Sequence, residues 1–310
     1  VYLLAILGRR VLQIAATVLL VAVLVFALMH LLPGDPAEVM LGDRGSTAAI
    51  AQLHHDLGLD RSILVQFWEF LKRIATLNLG ESVTMRVPVT LVIAERLPIT
   101  VLLTAMAAFL ALLTAVPLAF LAALRQGGWS DVVIRGLAQL SLSMPVFYIG
   151  LILMITLAAG LRWFPVGGIG AGFVQNLYYL FLPALALALS AILLRNLRSS
   201  LIEVLQAEFV NFAIAKGLRW RVVLGRHVLR NASISMVTLL GLNISSLVGG
   251  AVITETVFGI PGVGRLMVDS IFSRDYAVVQ GLTMVLCVLV SVVFLAVDAL
   301  QALLDPRIST

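Results

Sequence analysis

Charge is scarce in this chain. Only 12% of its 310 residues are Asp, Glu, Lys or Arg, against 61% hydrophobic, with a mean hydropathy of +1.08. That composition excludes an ordinary soluble domain. Cysteine is almost absent: Cys287 stands alone inside an apolar run, so neither a disulfide framework nor a cysteine metal site exists. Motifs of self-sufficient chemistry are missing too. There is no HExxH, no GxSxG and no GxxxxGK[ST] phosphate loop, so the chain reads as no enzyme and cannot hydrolyse ATP alone. His54 and His55 are adjacent, would point about 100° apart on a helix, and make a poor metal pair. No catalytic residue, metal ligand or nucleic-acid site is assigned.

What is present is long apolar runs. A helix needs about 20 mostly apolar residues to cross a ~30 Å hydrocarbon core. Six runs qualify, at 9–31, 98–124, 137–160, 177–195, 232–254 and 279–304. They are apolar all round, whereas barrel strands alternate; the expected class is an all-α integral membrane protein, a single transmembrane domain over 1–310. The first run follows Arg9 and Arg10 but is too long for a signal peptide's core and ends in LPGDPA, so it reads as a retained span.

With six spans, residues 1–10, 125–136, 196–231 and the tail share one side. That side, with Arg195 at its edge, carries twelve of the 21 Lys and Arg residues. The other side holds eight of the 16 acids in 32–97 alone. The positive-inside rule then places both termini and the 196–231 loop in the cytoplasm. Within the extracytoplasmic insertion 32–97, residues 62–77 align Ile63, Leu64, Phe67, Phe70, Leu71 and Ile74 on one helical face, with Asp60 or Ser62 as a cap. Such a helix either lies on lipid headgroups or forms a platform for a partner. A second short amphipathic segment, 88–97, is expected to run into Pro98 and the second span.

No Asp, Glu, Lys or Arg lies near the middle of a span, which weighs against an ion-coupled secondary transporter. Glu255, just past the outer end of span 5, and Asp298, in the inner part of span 6, read as gating or structural charges. In span 5, Gly241, Ser245 and Gly249 share a face and Gly250 pairs with Ser246. Small faces of this kind serve close helix packing. Alternatively Asn243, Ser246, Gly250 and Thr254, with Ser141 and Ser143 of span 3, line an uncharged translocation path. Met144–Pro145 predicts a kink in span 3, its hydroxyls covering freed carbonyls.

The 196–231 loop is basic and patterned. Residues 203–216 predict a short helix with Val204, Phe209 and Phe212 among its apolar contacts, ended by Gly217 in a left-handed conformation. A second helix over 219–230 sets Trp220, Val223, Leu224, His227 and Val228 opposite Arg219, Arg221, Arg226 and Arg230. On spacing alone the pair either rests on anionic lipid or meets a soluble motor.

The pattern Ala213-x-Ala215-Lys216-Gly217-Leu218, followed by His227-x-Leu229-Arg230-Asn231, resembles the EAA loop of ABC importer permeases. LPGDPA at 32–37, DLGLD at 56–60, LGES at 79–82, RLPIT at 96–100, FPVGG at 164–168, ETVFGIPGVG at 255–264, RDYAVVQG at 274–281 and DPR at 305–307 extend the likeness along nearly the whole chain. They narrow it to the first (B-type) subunit of the dipeptide/oligopeptide/nickel permeases. Where that family reads close to YVRTARAKG, this chain has Phe209 to Gly217 as FVNFAIAKG. The resemblance implies one of two paired permeases in the bacterial cytoplasmic membrane, importing di- or oligopeptides. It implies two partner ATPases that bind the ATP and Mg, and an extracytoplasmic binding protein. The ATPase-coupling residues would be Glu208, Phe209, Phe212, Ala213, Ala215, Lys216, Gly217, Leu218 and His227. Nickel, glutathione and haem are alternative cargoes within the family.

Overall fold

The computed structural model describes residues 2–31, 52, 55, 60–189 and 192–304. LPGDPA, DPR, His54 and all of DLGLD except Asp60 lie outside the described residues. Among those described, the only extended pairing is one antiparallel bridge, Glu81 to Pro88. The rest of the regular structure is helical: α1 (Tyr2–Leu31), α2 (Ile63–Ala75), α3 (Val89–Leu124), α4 (Trp129–Ser143) and α5 (Val146–Leu153), which widens into π-helical turns over Met154–Gly160. There follow α6 (Phe173–Ala188), α7 (Ile192–Gln206), α8 (Glu208–Ala215) and α9 (Trp220–Val222). α9 passes through π-helical turns at Val223–Val228 into α10 (Leu229–Val257), and α11 (Val263–Phe272) and α12 (Tyr276–Leu304) complete the chain.

α1, α3, α10 and α12 are long and apolar enough to cross a bilayer, and α4 with α5 and α6 with α7 raise the number to six if each bent pair is one span. The α4–α5 pair bends by 104°, more than a kink. Pro145 supplies no N–H and drives the residue before it out of the helical region; Met144 accordingly sits at φ −99°, ψ 132°. Pro98 does not interrupt its helix. The segment 88–97 is not separate but forms the first turns of α3, which runs through Pro98. Val89, Val92 and Ile93 are buried there, and that packing outweighs the roughly 3 kcal/mol cost of an internal proline.

The chain divides into two compact units, Val1–Pro98 with Arg265–Ser291, and Ile99–Gly264 with Val292–Thr310. In the first, Phe26 of α1 packs against Phe67 and Phe70 of α2 at ring separations of 5.2 and 5.8 Å. His30 shares a hydrogen bond of 3.1 Å with Gln66. Ser62 is the N-cap residue of α2, though its hydroxyl makes no capping bond.

The second unit has two cores. Ala111, Ala115, Ala119 and Ala122 of α3 meet Leu197 and Leu201 of α7 in one; Leu103 and Ala107 of α3 meet Leu180, Leu187, Leu247 and Ala251 in the other. The alanines recur four and then three apart, so α3 presents the small-residue face that lets helices approach closely in lipid. In α10 the close approaches are at Gly241, where a Cβ would stand 2.9 Å from Val297, and at Gly250, 2.9 Å from Leu187; at Gly249 nothing lies within 4 Å. The expected stripe through Gly249 is therefore open at that position.

Candidate functional site

The expected helix over 203–216 is two helices. Ala207 is extended, at φ −65° and ψ 144°. Its carbonyl accepts from the N–H groups of Val210 and Asn211 at 3.0 and 3.4 Å, which starts α8 afresh. Val210 and Ala213, three apart, take the inward face of α8 and join the core with Leu197, Leu201, Val223 and Val228. Phe209 and Phe212 consequently face outward, Phe212 at 64% exposure. Glu208, Ala215, Lys216 and Leu218 are also exposed, while His227 is half-buried. Lys216 Nζ stands 4.9 Å from the Phe212 ring centroid, a cation–π contact on the open face.

α8 ends as its glycine predicts. Gly217 has φ +77°, its N–H donates to the Ile214 carbonyl at 2.9 Å, and the Leu218 N–H reaches back to Ala213 at 3.3 Å. These two bonds are the paired closure of a left-handed helix stop. The second helix expected at 219–230 is not separate: it continues without a break into α10, so the far arm of the hairpin is rigidly one piece with a membrane-crossing candidate. Asn231 donates to the His227 carbonyl at 2.8 Å along that arm.

A buried ion pair secures the near arm, and no motif announced it. Asp131 of α4, 1% exposed, accepts from Arg198 of α7 through Nε at 2.6 Å and Nη2 at 2.8 Å. The Gly127 N–H adds a third bond at 3.0 Å. Such a bidentate pair fixes orientation as well as distance, tying α4 to the helix that leads into α8. Its only sequence trace is an acid after Gly127–Gly128 and an arginine in an apolar helix.

Glu255 does not lie past the end of its span. It sits inside α10 and is fully buried. The Thr100 hydroxyl donates to Oε1 at 2.5 Å and the Gly264 N–H to Oε2 at 2.8 Å. Thr100 Oγ1 accepts in turn from the Val263 N–H at 2.9 Å. The carboxylate thus neutralises the first turn of α11, where a helix carries partial positive charge. Glycine is required beside it: a Cβ at Gly262 would lie 2.3 Å from the carboxylate, and one at Gly264 2.5 Å from the Val252 backbone.

In the other unit Asp275 plays a parallel part. It is buried, and accepts from the hydroxyls of Ser82 at 2.5 Å and Thr84 at 2.6 Å. It also accepts from the N–H groups of Thr84 at 3.1 Å and Val278 at 3.4 Å. Burial raises its pKa, but the four donors together outweigh burial and hold the carboxyl below the usual range. LGES and RDYAVVQG were legible as motifs; that they meet was not.

The six residues expected to line a path differ in exposure. Asn243 and Thr254 are buried, whereas Ser246 is on the exposed face of α10 and Ser143 is exposed on α4. The kink hydroxyls do not cover the carbonyls that Pro145 frees. Ser141 donates to the Leu189 carbonyl of the neighbouring helix, and Ser143 to Gln139 at 2.9 Å. Thr254 bonds its own helix at Gly250, 3.0 Å. Asn243 Oδ1 is buried and accepts no hydrogen bond among the described residues. Asp298 is half-buried on α12, and exposed His55 pairs with Asp60 at 3.0 Å.

Comparison with known proteins follows this geometry. Residues 115–310 match the family described as "Binding-protein-dependent transport system inner membrane component", and residues 3–104 match its N-terminal companion. The chain is 39% identical over 302 residues to a glutathione transport system permease protein, GsiC, of Pectobacterium atrosepticum, covering 97% of each chain. It is 36% identical over 305 residues to a probable peptide ABC transporter permease of Sinorhizobium fredii, again covering 97% of each. Among solved structures, an inward-facing MetNI methionine ABC transporter chain superposes with a TM-score of 0.59 at 14% identity, over 69% of this chain and 96% of that one. At that identity the likeness speaks for the fold alone.

Proposed function

Because the chain belongs to the binding-protein-dependent transport system inner membrane components, and within them to the dipeptide/oligopeptide permeases, we propose that it is a permease subunit of an ABC importer whose cargo is short peptides. The cargoes for which its relatives are named, peptides and glutathione, are all peptides or peptide-like; glutathione itself is the narrower alternative. ATP is bound and hydrolysed by two partner ATPases. A second, related permease completes the pore, and a binding protein delivers cargo from the side that carries residues 32–97. Both termini and the α7–α10 hairpin are cytoplasmic.

The observation that carries this reading is the face of α8. A helix of eight residues holds only its narrow inner edge in the core and turns Phe209, Phe212 and Leu218 outward beside Lys216. Exposed aromatics on a rigid, polar-rimmed element are what a protein partner takes as anchors. The element is built into α7 on one side and α10 on the other. Closure of the ATPase pair would therefore move helices, not a loose loop, and turn the permease from inward- to outward-facing. Asn243, Ser246, Gly250 and Thr254, with Ser141 and Ser143, line the path only once the paired permease and such a movement bring them together. Glu255 and Asp298 act as structural charges, not ion carriers.

Gly217→Val tests it. Nothing lies within 4 Å of a Cβ there, so the strain is purely conformational, about 1–2 kcal/mol. The expected result is a permease that inserts and folds but loses ATPase co-purification or cargo-stimulated ATP hydrolysis. Full assembly and coupling in that variant would remove α8 as the docking element.

A further inference from the structure

α2 divides its circumference three ways, and only two of the three faces are accounted for. Phe67, Phe70 and Ile74 point to one side, where Phe26 of α1 meets the first two. Glu69 and Arg73 lie about a third of a turn away, where Arg61 Nη1 pairs with Glu69 at 2.5 Å. The third face carries Leu64, Trp68 and Ala75, spaced i, i+4 and i+11. Leu64 is 81% exposed and Trp68 60% exposed. Such a face costs free energy in water: each large side chain left exposed forgoes about 1.5–3 kcal/mol of burial.

The position of α2 along α1 tells what covers that face. Its anchors are Phe26 and His30, in the last turns of α1, and the apolar crossing segment of α1 runs from Arg10 to Leu28. α2 is therefore pinned at the level where the hydrocarbon ends. At the same end of α1, Leu24, Leu28 and Leu31 are themselves exposed, at 53, 58 and 78%, on the side of α1 turned away from Phe26 and α2, so large apolar side chains stand open at this level of the helix. At its edge Lys72 Nζ stands 5.8 Å from the Trp68 ring centroid. A tryptophan with its body in the acyl region and a lysine reaching for phosphate is the pairing found at membrane interfaces.

We propose that α2 is an interfacial anchor: Leu64 and Trp68 enter the acyl boundary of the leaflet at the C-terminal end of α1, Lys72 contacts lipid phosphate, and Glu69 and Arg73 remain in water. Under the topology proposed above this is the outer leaflet, but depth in the bilayer does not rest on that assignment. The helix holds the extracytoplasmic segment down on the membrane surface, so the insertion has a fixed height from which to meet a delivered cargo.

Depth measurement decides it. In a Cys287→Ser background, nitroxide labels are placed one at a time through Leu64→Cys, Trp68→Cys, Glu69→Cys and Arg73→Cys. The full chain, assembled with its partner subunits, is reconstituted in vesicles of phosphatidylethanolamine and phosphatidylglycerol. Oxygen concentrates among acyl chains and a neutral nickel chelate stays in water. The expected result is an oxygen-to-nickel accessibility ratio several-fold higher at 64 and 68 than at 69 and 73. Two outcomes overturn the proposal. Nickel dominance at 64 and 68 would put the face in water; exclusion of both reagents there would put it under a protein partner. Because Gly217→Val reads ATPase coupling and these labels read depth, either proposal can fail without the other.

Discussion

The α8 hairpin and the Asp275 clamp handle unsatisfied surface in opposite ways. Around α8 the polar backbone is closed by Gly217 and Leu218, yet large apolar side chains are left facing out. Around Asp275 the reverse holds: a charge is taken out of water, and Ser82, Thr84 and the first turn of α12 supply all its partners from within the unit. The lesson is that completeness marks a joint and incompleteness marks an interface. A carboxylate with every acceptor site filled has no need of another molecule, whereas Phe212 gains only if one arrives.

The largest effect expected of any test falls on the ion pair that supports the incomplete region from behind. Asp131→Ala leaves Arg198, 16% exposed, without its bidentate partner, a loss of about 3 kcal/mol, and the yield of folded permease should fall with it. If Asp131→Ala instead melted at the parental temperature, the near arm of the hairpin would be held by its apolar core alone. Next in size is Asp275→Asn, which keeps the shape but weakens charge-assisted bonds from two hydroxyls and two N–H groups, by about 1–3 kcal/mol. Its pH signature has a definite sign. The folded pKa is depressed, so the clamp's contribution is complete above the unfolded value of about 3.9 and is lost as pH falls through the lower folded value. The parent should lose stability on acidification across that window, and the Asn variant should lose less. The smallest effect on stability, and the one that most sharpens the contrast, belongs to Phe212→Ala. An exposed side chain removed from the free permease should change its stability by no more than about 0.5 kcal/mol, while pull-down of the ATPase falls. A marked drop in melting temperature with unimpaired pull-down would make Phe212 part of the fold rather than of an interface.

Helix existence was legible because six apolar runs leave the chain little choice in a membrane. Helix direction was less so. A kink was read at Pro145, where the chain does break, whereas α3 runs through Pro98: flanking burial decides between them, and burial is a tertiary property. Gly217 could be read directly, since a left-handed stop is a local matter of one residue without a side chain. Phe209 and Phe212 entered as coupling candidates only through the resemblance; their outward direction was not legible, because it follows from an inner face of α8 so narrow that Val210 and Ala213 fill it. Glu255 misled for a related reason: its partner Thr100 is 155 residues away, and nothing local in either segment signals the other. The motifs ETVFGIPGVG, LGES and RDYAVVQG were visible as strings, yet their meaning lay in contacts.

The right-angled break at Met144–Pro145 carries a consequence for the surrounding lipid. The arm beyond it consists of eight residues and then seven more in wider turns, about 22 Å at most. The hydrocarbon layer is about 30 Å thick, so this arm falls short of a crossing, and α4, bent away by 104°, cannot extend it in the same direction. A short arm of this kind draws the bilayer thinner beside it, tilts, or shelters against a neighbour, each at a fraction of a kcal/mol per Å of mismatch. Acyl-chain length thereby becomes a mechanical variable for the transporter, acting at a single dipeptide.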